Sequence, residues 1–207
     1  MENINKEILT KENINFEDLK RDFINLLMGT KRNGIENLMK FIEEKSDFFT
    51  APASTRFHGN FEGGLLLHSM KVYEILIEKC YLQDNRERLK NLKIDSFVIV
   101  GLLHDICKIN YYQKSFKNVK NEKTGNWEKQ EIYTVNDTIP YGHGEKSVMI
   151  LSEYIKLNAD EKYAIRWHMG FSEPKENYNS LSLAYSKYPL CLLLSEADLE
   201  ATYFLNI

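Results

Sequence analysis

The sequence predicts a mainly α-helical bundle with one β-hairpin inserted in the middle of the chain. Apolar residues recur at helical spacing in most segments, for example in residues 16–28. Residues 97–103 are apolar on nearly every side, which is typical of a buried central helix. Residues 111–135 differ, because two alternating runs flank a turn-forming stretch at residues 124–126, and this pattern predicts the hairpin.

The other elements follow from the same patterns. Helices are expected in residues 33–44, 64–82, 94–108, 147–157, 160–169 and 189–204. Residues 48–64 hold Pro52 and several glycines among aromatic and polar residues, which predicts an ordered loop. We divide the chain into an N-terminal helical segment, residues 1–50, packed on a main domain of residues 51–207.

Length, composition and charge limit the classes of function. The chain has 207 residues, 43% hydrophobic and 28% charged, which suits one compact unit with a real core. Its net charge of −3 does not give the positive field of a dedicated duplex-binding protein. Three cysteines, no signal-like start and no membrane-length apolar run favour a reduced, cytoplasmic protein that does not span a membrane. The oligomeric state stays open.

Polar groups interrupt or end three of the predicted apolar helices. His104 and Asp105 follow one apolar run, His68 follows a second, and Asp198 follows a third. Burial of such groups is costly unless they are paired or bind a metal. Imidazole and carboxylate ligands suit Mn, Fe, Co, Ni or Zn, and an aspartate can bridge two ions that lie roughly 3.5–4 Å apart.

The order of these groups resembles the HD-domain superfamily of metal-dependent phosphohydrolases. The resemblance spans residues 51–202 and runs through His68, His104, Asp105, His143, His168 and Asp198. Residues 51–68 look like the opening motif of the HD domain in YhaM-type exoribonucleases. Residues 102–108 resemble the family signature, with Cys107 where glycine is usual.

The resemblance implies an HD-domain helical bundle with two divalent transition-metal ions, whose identity stays open. His68, His104, Asp105 and Asp198 would hold one ion. Asp105 would bridge to a second ion, which His143 and His168 would also hold.

The implied activity is a phosphomonoesterase or phosphodiesterase that uses metal-activated water. Its expected substrate is a small-molecule nucleotide or a short oligonucleotide, without strong binding to duplex nucleic acid. Two alternatives stay open, namely a binuclear iron oxygenase of the same fold and a non-catalytic nucleotide-binding module.

Further residues are candidates for catalysis or substrate binding. Lys108 resembles the family lysine that meets the substrate phosphate or the attacking water, and a solvated position at a helix end is the alternative. His58 is a candidate proton donor to the leaving group, or a structural loop residue. Arg56 and Glu145 are candidate substrate contacts; Glu145 could instead support His143 or lie exposed at a helix start. For Arg166 an ordinary salt bridge is expected.

The predicted hairpin carries lysines and aromatic residues. We expect a solvated face from Lys114, Lys117, Lys120, Lys123 and Lys129. Trp127 and Tyr133 can stack on a nucleobase, but packing within the protein is the more frequent role of aromatic side chains and is our expectation.

Overall fold

The computed structural model describes residues 14–204, apart from the side chains of residues 83–85 and 204. Within this range the predicted mainly α fold with an inserted hairpin is confirmed. The helices are α1 (Phe16–Gly29), α2 (Ile35–Lys45), α3 (Gly64–Tyr81), α4 (Gln83–Leu89), α5 (Ile94–Leu103), α6 (His143–Ser152), α7 (Ala159–Trp167), α8 (Tyr178–Lys187) and α9 (Pro189–Phe204). The strands β1 (Tyr112–Lys120) and β2 (Trp127–Val135) lie between α5 and α6.

The core is built around α3, which packs against both α5 and α9. Residues 96–103 of α5 are all buried, as the continuous apolar run predicted. Helices α1 and α2 add Phe23, Leu27, Leu38 and Ile42 to the same core. The domain boundary at residue 51 stays a prediction, and residues 1–13 of the proposed N-terminal segment lie outside the described residues.

Helices α6 and α7 come into backbone contact at Gly144. A Cβ atom at this position would lie 2.2 Å from the carbonyl oxygen of Arg166, so only glycine permits the approach. Helix α7 begins with a capping box, in which Asn158 and Glu161 satisfy each other's backbone N–H groups. The close packing brings the start of α6 beside the end of α7.

The hairpin extends from the bundle into solvent. Its strands pair antiparallel from Tyr112 opposite Val135 to Lys120 opposite Trp127. At its base the N–H of Asn136 donates to the carbonyl of Tyr111 at 2.8 Å. Trp127 is 71% exposed, so the predicted packing of this side chain is wrong.

The exposure of the other hairpin side chains agrees with the prediction. Tyr133 is half-buried, and Lys114, Lys117, Lys120, Lys123 and Lys129 are exposed as predicted.

Several helix boundaries differ from the prediction. The expected helix 94–108 ends at Leu103, and a short 3₁₀ turn (Ile106–Lys108) follows. The reason lies in His104, whose Nδ1 lies 3.0 Å from the carbonyl of Gly101 and satisfies a helix-end acceptor. Helix α6 spans residues 143–152 instead of 147–157, while α4 and α8 were not predicted.

Among residues 14–204, no helix combines the length and apolar character that a bilayer crossing requires.

Candidate metal centre and catalytic cleft

Five helix ends or helix faces deliver the six predicted ligand residues to one place. His68 lies on α3 and Asp198 on α9, while His104 and Asp105 directly follow α5. His143 is the first residue of α6, and His168 directly follows α7. His143 is the most accessible of the six, with 34% of its side chain exposed, and the other five are mostly or fully buried.

One group of ligand atoms centres on His68. Its Nε2 lies 3.1 Å from Asp198 Oδ1, 3.3 Å from His104 Nε2 and 3.6 Å from Asp105 Oδ2. Imidazole nitrogens and carboxylate oxygens at such mutual distances suit a common cation.

A second group centres on the other oxygen of Asp105. Asp105 Oδ1 lies 2.7 Å from His143 Nε2 and 3.4 Å from His168 Nε2. Asp105 therefore turns one oxygen to each group. This is the geometry that a bridging carboxylate requires.

Backbone carbonyls orient two of the imidazole rings. His104 Nδ1 lies 3.0 Å from the Gly101 carbonyl, and His168 Nδ1 lies 2.7 Å from the Ile165 carbonyl. A carbonyl only accepts, so each Nδ1 carries a proton and directs Nε2 at Asp105. Support of this kind from the other ring nitrogen is typical of histidines that bind metals.

The fit of a cation depends on whether the buried ring nitrogens at the centre offer free lone pairs. Burial lowers the pKa of His104 to about 3, so its ring is neutral and Nε2 offers a lone pair. His168 Nε2 is buried and makes no hydrogen bond within the described residues. For His168, burial opposes the charged form, but Asp105 raises its pKa. Imidazole nitrogens beside an ionised carboxylate form a donor set that binds divalent metals, so the residues fit such an ion.

The two carboxylates stay ionised in spite of their burial. Burial acts to raise the pKa of Asp105, but Lys108 and the surrounding histidines hold it well below its usual range. Burial also acts against the charged form of Asp198, and the hydrogen bond to His68 lowers the pKa of this carboxyl group. The site is thus a concentration of negative charge and lone pairs.

Lys108 does not lie on a helix that continues from α5. The helix predicted over residues 94–108 ends at Leu103. The 3₁₀ turn instead brings Lys108 Nζ to 2.6 Å from Asp105 Oδ2, with 12% of the side chain exposed. Burial opposes the ammonium charge, but Asp105 raises the pKa of Lys108, so the side chain is a fixed cation.

A cleft of about 780 Å³ opens over this centre. Its polar lining residues include Asp105, Lys108, His143 and Asp198. Its apolar lining residues include Phe57, whose aromatic ring is exposed. Among the described residues, the lining consists of Phe57, His58, Asn60, Phe61, Asp105, Lys108, His143, Met169, Ser172, Asp198, Leu199, Thr202 and Tyr203.

His58 lies in the wall of the cleft, next to the ring of His68. The two ring centroids are 4.8 Å apart, and both nitrogens of His58 are buried with no hydrogen-bond partner among residues 14–204. Burial, together with the neighbouring His68 and Lys108, lowers the pKa of His58 to about 4. The ring is therefore neutral at pH 7.

Two predicted substrate contacts do not line the cleft. Arg56 is exposed outside it. Glu145 forms an ion pair with Arg166 at 2.5 Å, and Arg166 also pairs with Glu173 at 2.8 Å. The ordinary salt bridge expected of Arg166 is confirmed.

Cys107 and Tyr112 approach the centre although neither was predicted to act there. Cys107 Sγ lies 3.5 Å from His143 Nδ1, and burial raises the pKa of this thiol to about 12. The departure from glycine at position 107 was the one sequence signal for it. The hydroxyl of Tyr112 donates to the Ala53 carbonyl at 3.3 Å. Burial raises the pKa of Tyr112, and the nearby charge of Lys108 acts to lower it. No sequence pattern indicated this neighbour.

One curated relative gives an independent comparison. The chain is 33% identical over 108 residues to the dihydroneopterin 2′,3′-cyclic phosphate phosphodiesterase of Methanocaldococcus jannaschii. The match covers 50% of this chain and 40% of that protein, so the chain spans less than half of its relative. No protein-family profile and no solved structure matches the chain. Half of the chain is therefore similar to a phosphodiesterase.

Proposed function

We propose that the protein is a metal-dependent phosphohydrolase of the HD type that cleaves a phosphoester bond in a nucleotide or a short nucleic acid. The observation that carries the proposal is the position of Asp105, with one oxygen toward each of two imidazole groups. The similarity to a phosphodiesterase supports this class of reaction and favours phosphodiesters among the substrates.

Two divalent ions are the proposed cofactors. His68, His104, Asp105 and Asp198 would hold one, and Asp105, His143 and His168 would hold the other. Bound ions would polarise the phosphoryl oxygens and lower the pKa of water. The protein's own contribution is to keep the rings oriented through backbone carbonyls and to keep both carboxylates ionised.

Lys108 is the proposed contact to the phosphoryl oxygens. It lines the cleft, and its ion pair with Asp105 holds the ammonium group beside the ligand cluster. A lysine acts there as a point charge that stabilises negative charge as it develops on the phosphate.

His58 is the proposed contact to the leaving oxygen. Its ring is neutral at pH 7, which favours the donation of a hydrogen bond over the transfer of a proton from imidazolium. Its ring nitrogens have no hydrogen-bond partner within the described part of the chain, which gives His58 the capacity for such a bond.

The dimensions of the cleft suit a small substrate. A volume of about 780 Å³ lies within the usual range for ligand pockets. Phe57 and Tyr203, which are 79% and 71% exposed, offer aromatic surface to a nucleobase or another flat ring.

A hydrolysis screen tests the proposal. The protein is stripped of metal, reloaded separately with Mn²⁺, Fe²⁺, Co²⁺, Ni²⁺ or Zn²⁺, and supplied with phosphomonoesters, acyclic and 2′,3′-cyclic phosphodiesters, and oligonucleotides. We expect metal-dependent release of product that a chelator abolishes.

The matched variants are Asp105→Asn in the centre and Asp22→Asn on the exposed surface of α1. Asp22→Asn should behave as wild type, whereas Asp105→Asn should be inactive. Equal rates in the two variants, or no hydrolysis with any metal, would refute the proposal. Oxygen consumption by the iron-loaded protein without phosphoester cleavage would favour the oxygenase.

A further inference from the structure

The register of the hairpin decides which side chains share a face. Residues directly opposite each other point to the same side of an antiparallel ladder, and alternate residues along a strand point to opposite sides. Phe116 is opposite Glu131, Asn118 is opposite Lys129, and Lys120 is opposite Trp127. We call the side that carries these six residues, together with Tyr112, Lys114, Tyr133 and Val135, the aromatic hairpin face.

Two large aromatic side chains lie exposed on this face. Phe116 is 65% exposed and Trp127 is 71% exposed, and neither ring contacts another ring among residues 14–204. The pairing register separates them by four positions along the strand, or roughly 13 Å. Exposed aromatic side chains that share one face form a stacking surface.

The charge of this face suits a polyanion. It carries Lys114, Lys120 and Lys129 against the one acidic residue Glu131, which pairs with Lys114 at 3.3 Å. Lys120 and Lys129 form no ion pair with any residue that the structure describes. The whole chain has a net charge of −3, so the positive charge is local.

The base of this face is joined to the wall of the cleft. The Tyr112 hydroxyl donates to the Ala53 carbonyl at 3.3 Å, and Lys114 Nζ lies 3.8 Å from Glu62. Both partners belong to the loop of residues 51–63, which also supplies Phe57 and His58 to the cleft. The aromatic hairpin face thus begins beside the loop that forms one wall of the cleft.

From these observations we propose that the aromatic hairpin face binds single-stranded nucleic acid and extends the cleft along the substrate. The inference rests on the proposed function, because it names the substrate class of the same site. Stacking on Phe116 and Trp127 needs unpaired bases, and Lys120 and Lys129 would contact the phosphates. A duplex hides its base faces, so this surface selects a single strand.

Fluorescence anisotropy with a labelled single-stranded oligonucleotide tests the proposal. A chelator is present throughout, so that binding is read without hydrolysis. We expect Phe116→Ala and Trp127→Ala each to weaken binding roughly 5- to 100-fold, the range for loss of one stacked base. Binding should also weaken with salt, as expected for phosphate contacts.

A charge reversal on each side of the hairpin gives the matched control. Lys129→Glu lies on the aromatic hairpin face, and Lys117→Glu makes the same change on the opposite side. Lys129→Glu should weaken binding about 10-fold, whereas Lys117→Glu should change it less than about 3-fold at physiological salt, where distant charges are screened. Equal losses in the two variants would overturn the proposal.

Tryptophan fluorescence gives a second measurement. The chain has two tryptophans, and Trp167 is only 9% exposed, so a stacked base should quench mainly Trp127. The quench should disappear in Trp127→Phe. Undiminished quenching in Trp127→Phe, or tighter binding of a duplex of equal length, would contradict the proposed stacking.

Failure of this inference and failure of the proposed function can be told apart. Hydrolysis of a small phosphodiester by the metal-loaded wild type, without binding of the oligonucleotide, would overturn the inference and leave the function standing. Binding of the oligonucleotide through the aromatic hairpin face, without hydrolysis of any phosphoester, would support the binding role of this face and refute the proposed phosphohydrolase activity.

Discussion

Arg32 and Asp105 each lie in a buried polar cluster, and the two clusters satisfy their charges differently. Arg32 Nε pairs with Asp95 Oδ2 at 2.5 Å, its Nη2 pairs with Glu161, and its Nη1 donates to the Lys156 carbonyl at 3.2 Å. Donors in this cluster face acceptors. Only Asp95 Oδ1 is buried there without a partner among the described residues.

The cluster around Asp105 is satisfied only in part: Lys108 and His143 pair with its two oxygens, but other ring nitrogens have no matching donor or acceptor. The Nε2 atoms of His68 and His104 lie 3.3 Å apart, and the buried Nε2 of His168 makes no hydrogen bond within residues 14–204. Unpaired buried polar atoms cost stability. The Arg32 cluster is therefore nearly complete without a ligand, whereas the Asp105 cluster keeps unmatched nitrogen atoms that could bind a cation.

The largest expected effect is that of Asp105→Ala on activity. Asp105 touches both ligand groups, so its loss should displace both metals and reduce hydrolysis at least about 10³-fold, a loss of several kcal/mol of transition-state stabilisation. Steady-state kinetics and elemental analysis measure this. Activity within ~10-fold of wild type would remove Asp105 from its bridging role.

Glu161→Ala should reduce stability and leave metal binding unchanged, in contrast to Asp105→Ala. Glu161 is fully buried, and its removal leaves Arg32 without its main partner, so the free energy of unfolding should fall by about 3–5 kcal/mol. Metal content per folded molecule should not change. Urea denaturation measures the loss, with Glu44→Ala on the exposed side of α2 as the control. If Glu161→Ala lowered metal content per folded molecule as well as stability, the Arg32 and Asp105 clusters would not be independent.

Lys108→Ala separates the effect of charge at the site from the effect of metal ligation. Its side chain contributes charge but no metal ligand, so metal content should be kept while hydrolysis falls roughly 10–100-fold. Lys108→Arg should restore little, because the guanidinium group is larger and differently shaped. Wild-type turnover in Lys108→Ala would mean that this lysine does not contact phosphate.

The smallest expected change is in metal stoichiometry. Wild-type protein should bind two ions per chain, and His143→Ala or His168→Ala should reduce this to one, because both residues lie at Asp105 Oδ1. Elemental analysis after reconstitution measures it. One ion in wild type, unchanged in both variants, would rule out the second site.

The sequence predicted the parts of the fold and site that depend on local patterns. The apolar run of residues 97–103 predicted a buried helix, and the alternation around a turn predicted the hairpin. His68, His104 and Asp198 could be grouped because each interrupts or ends an apolar run. Their metal-ligand role stays a prediction, although the structure brings them together.

The parts that escaped prediction depend on contacts between distant residues. Arg32 meets Glu161 across 129 positions of the chain, and neither residue carries a local signal of burial. The start of α6 was predicted four residues late, because the glycines around His143 disfavour a helix unless α7 packs against Gly144. Trp127 was expected to pack, but no element among residues 14–204 covers its side of the two-stranded sheet.

The hydrogen bond between Asn136 and Tyr111 has a consequence for how chain length can vary. It brings the two ends of the hairpin together, so the segment between them leaves and re-enters the bundle at nearly one point. Insertions and deletions are tolerated best where the flanking backbone keeps its place. Residues 113–134 could therefore be lengthened, shortened or replaced while α5 and α6 stay where they are.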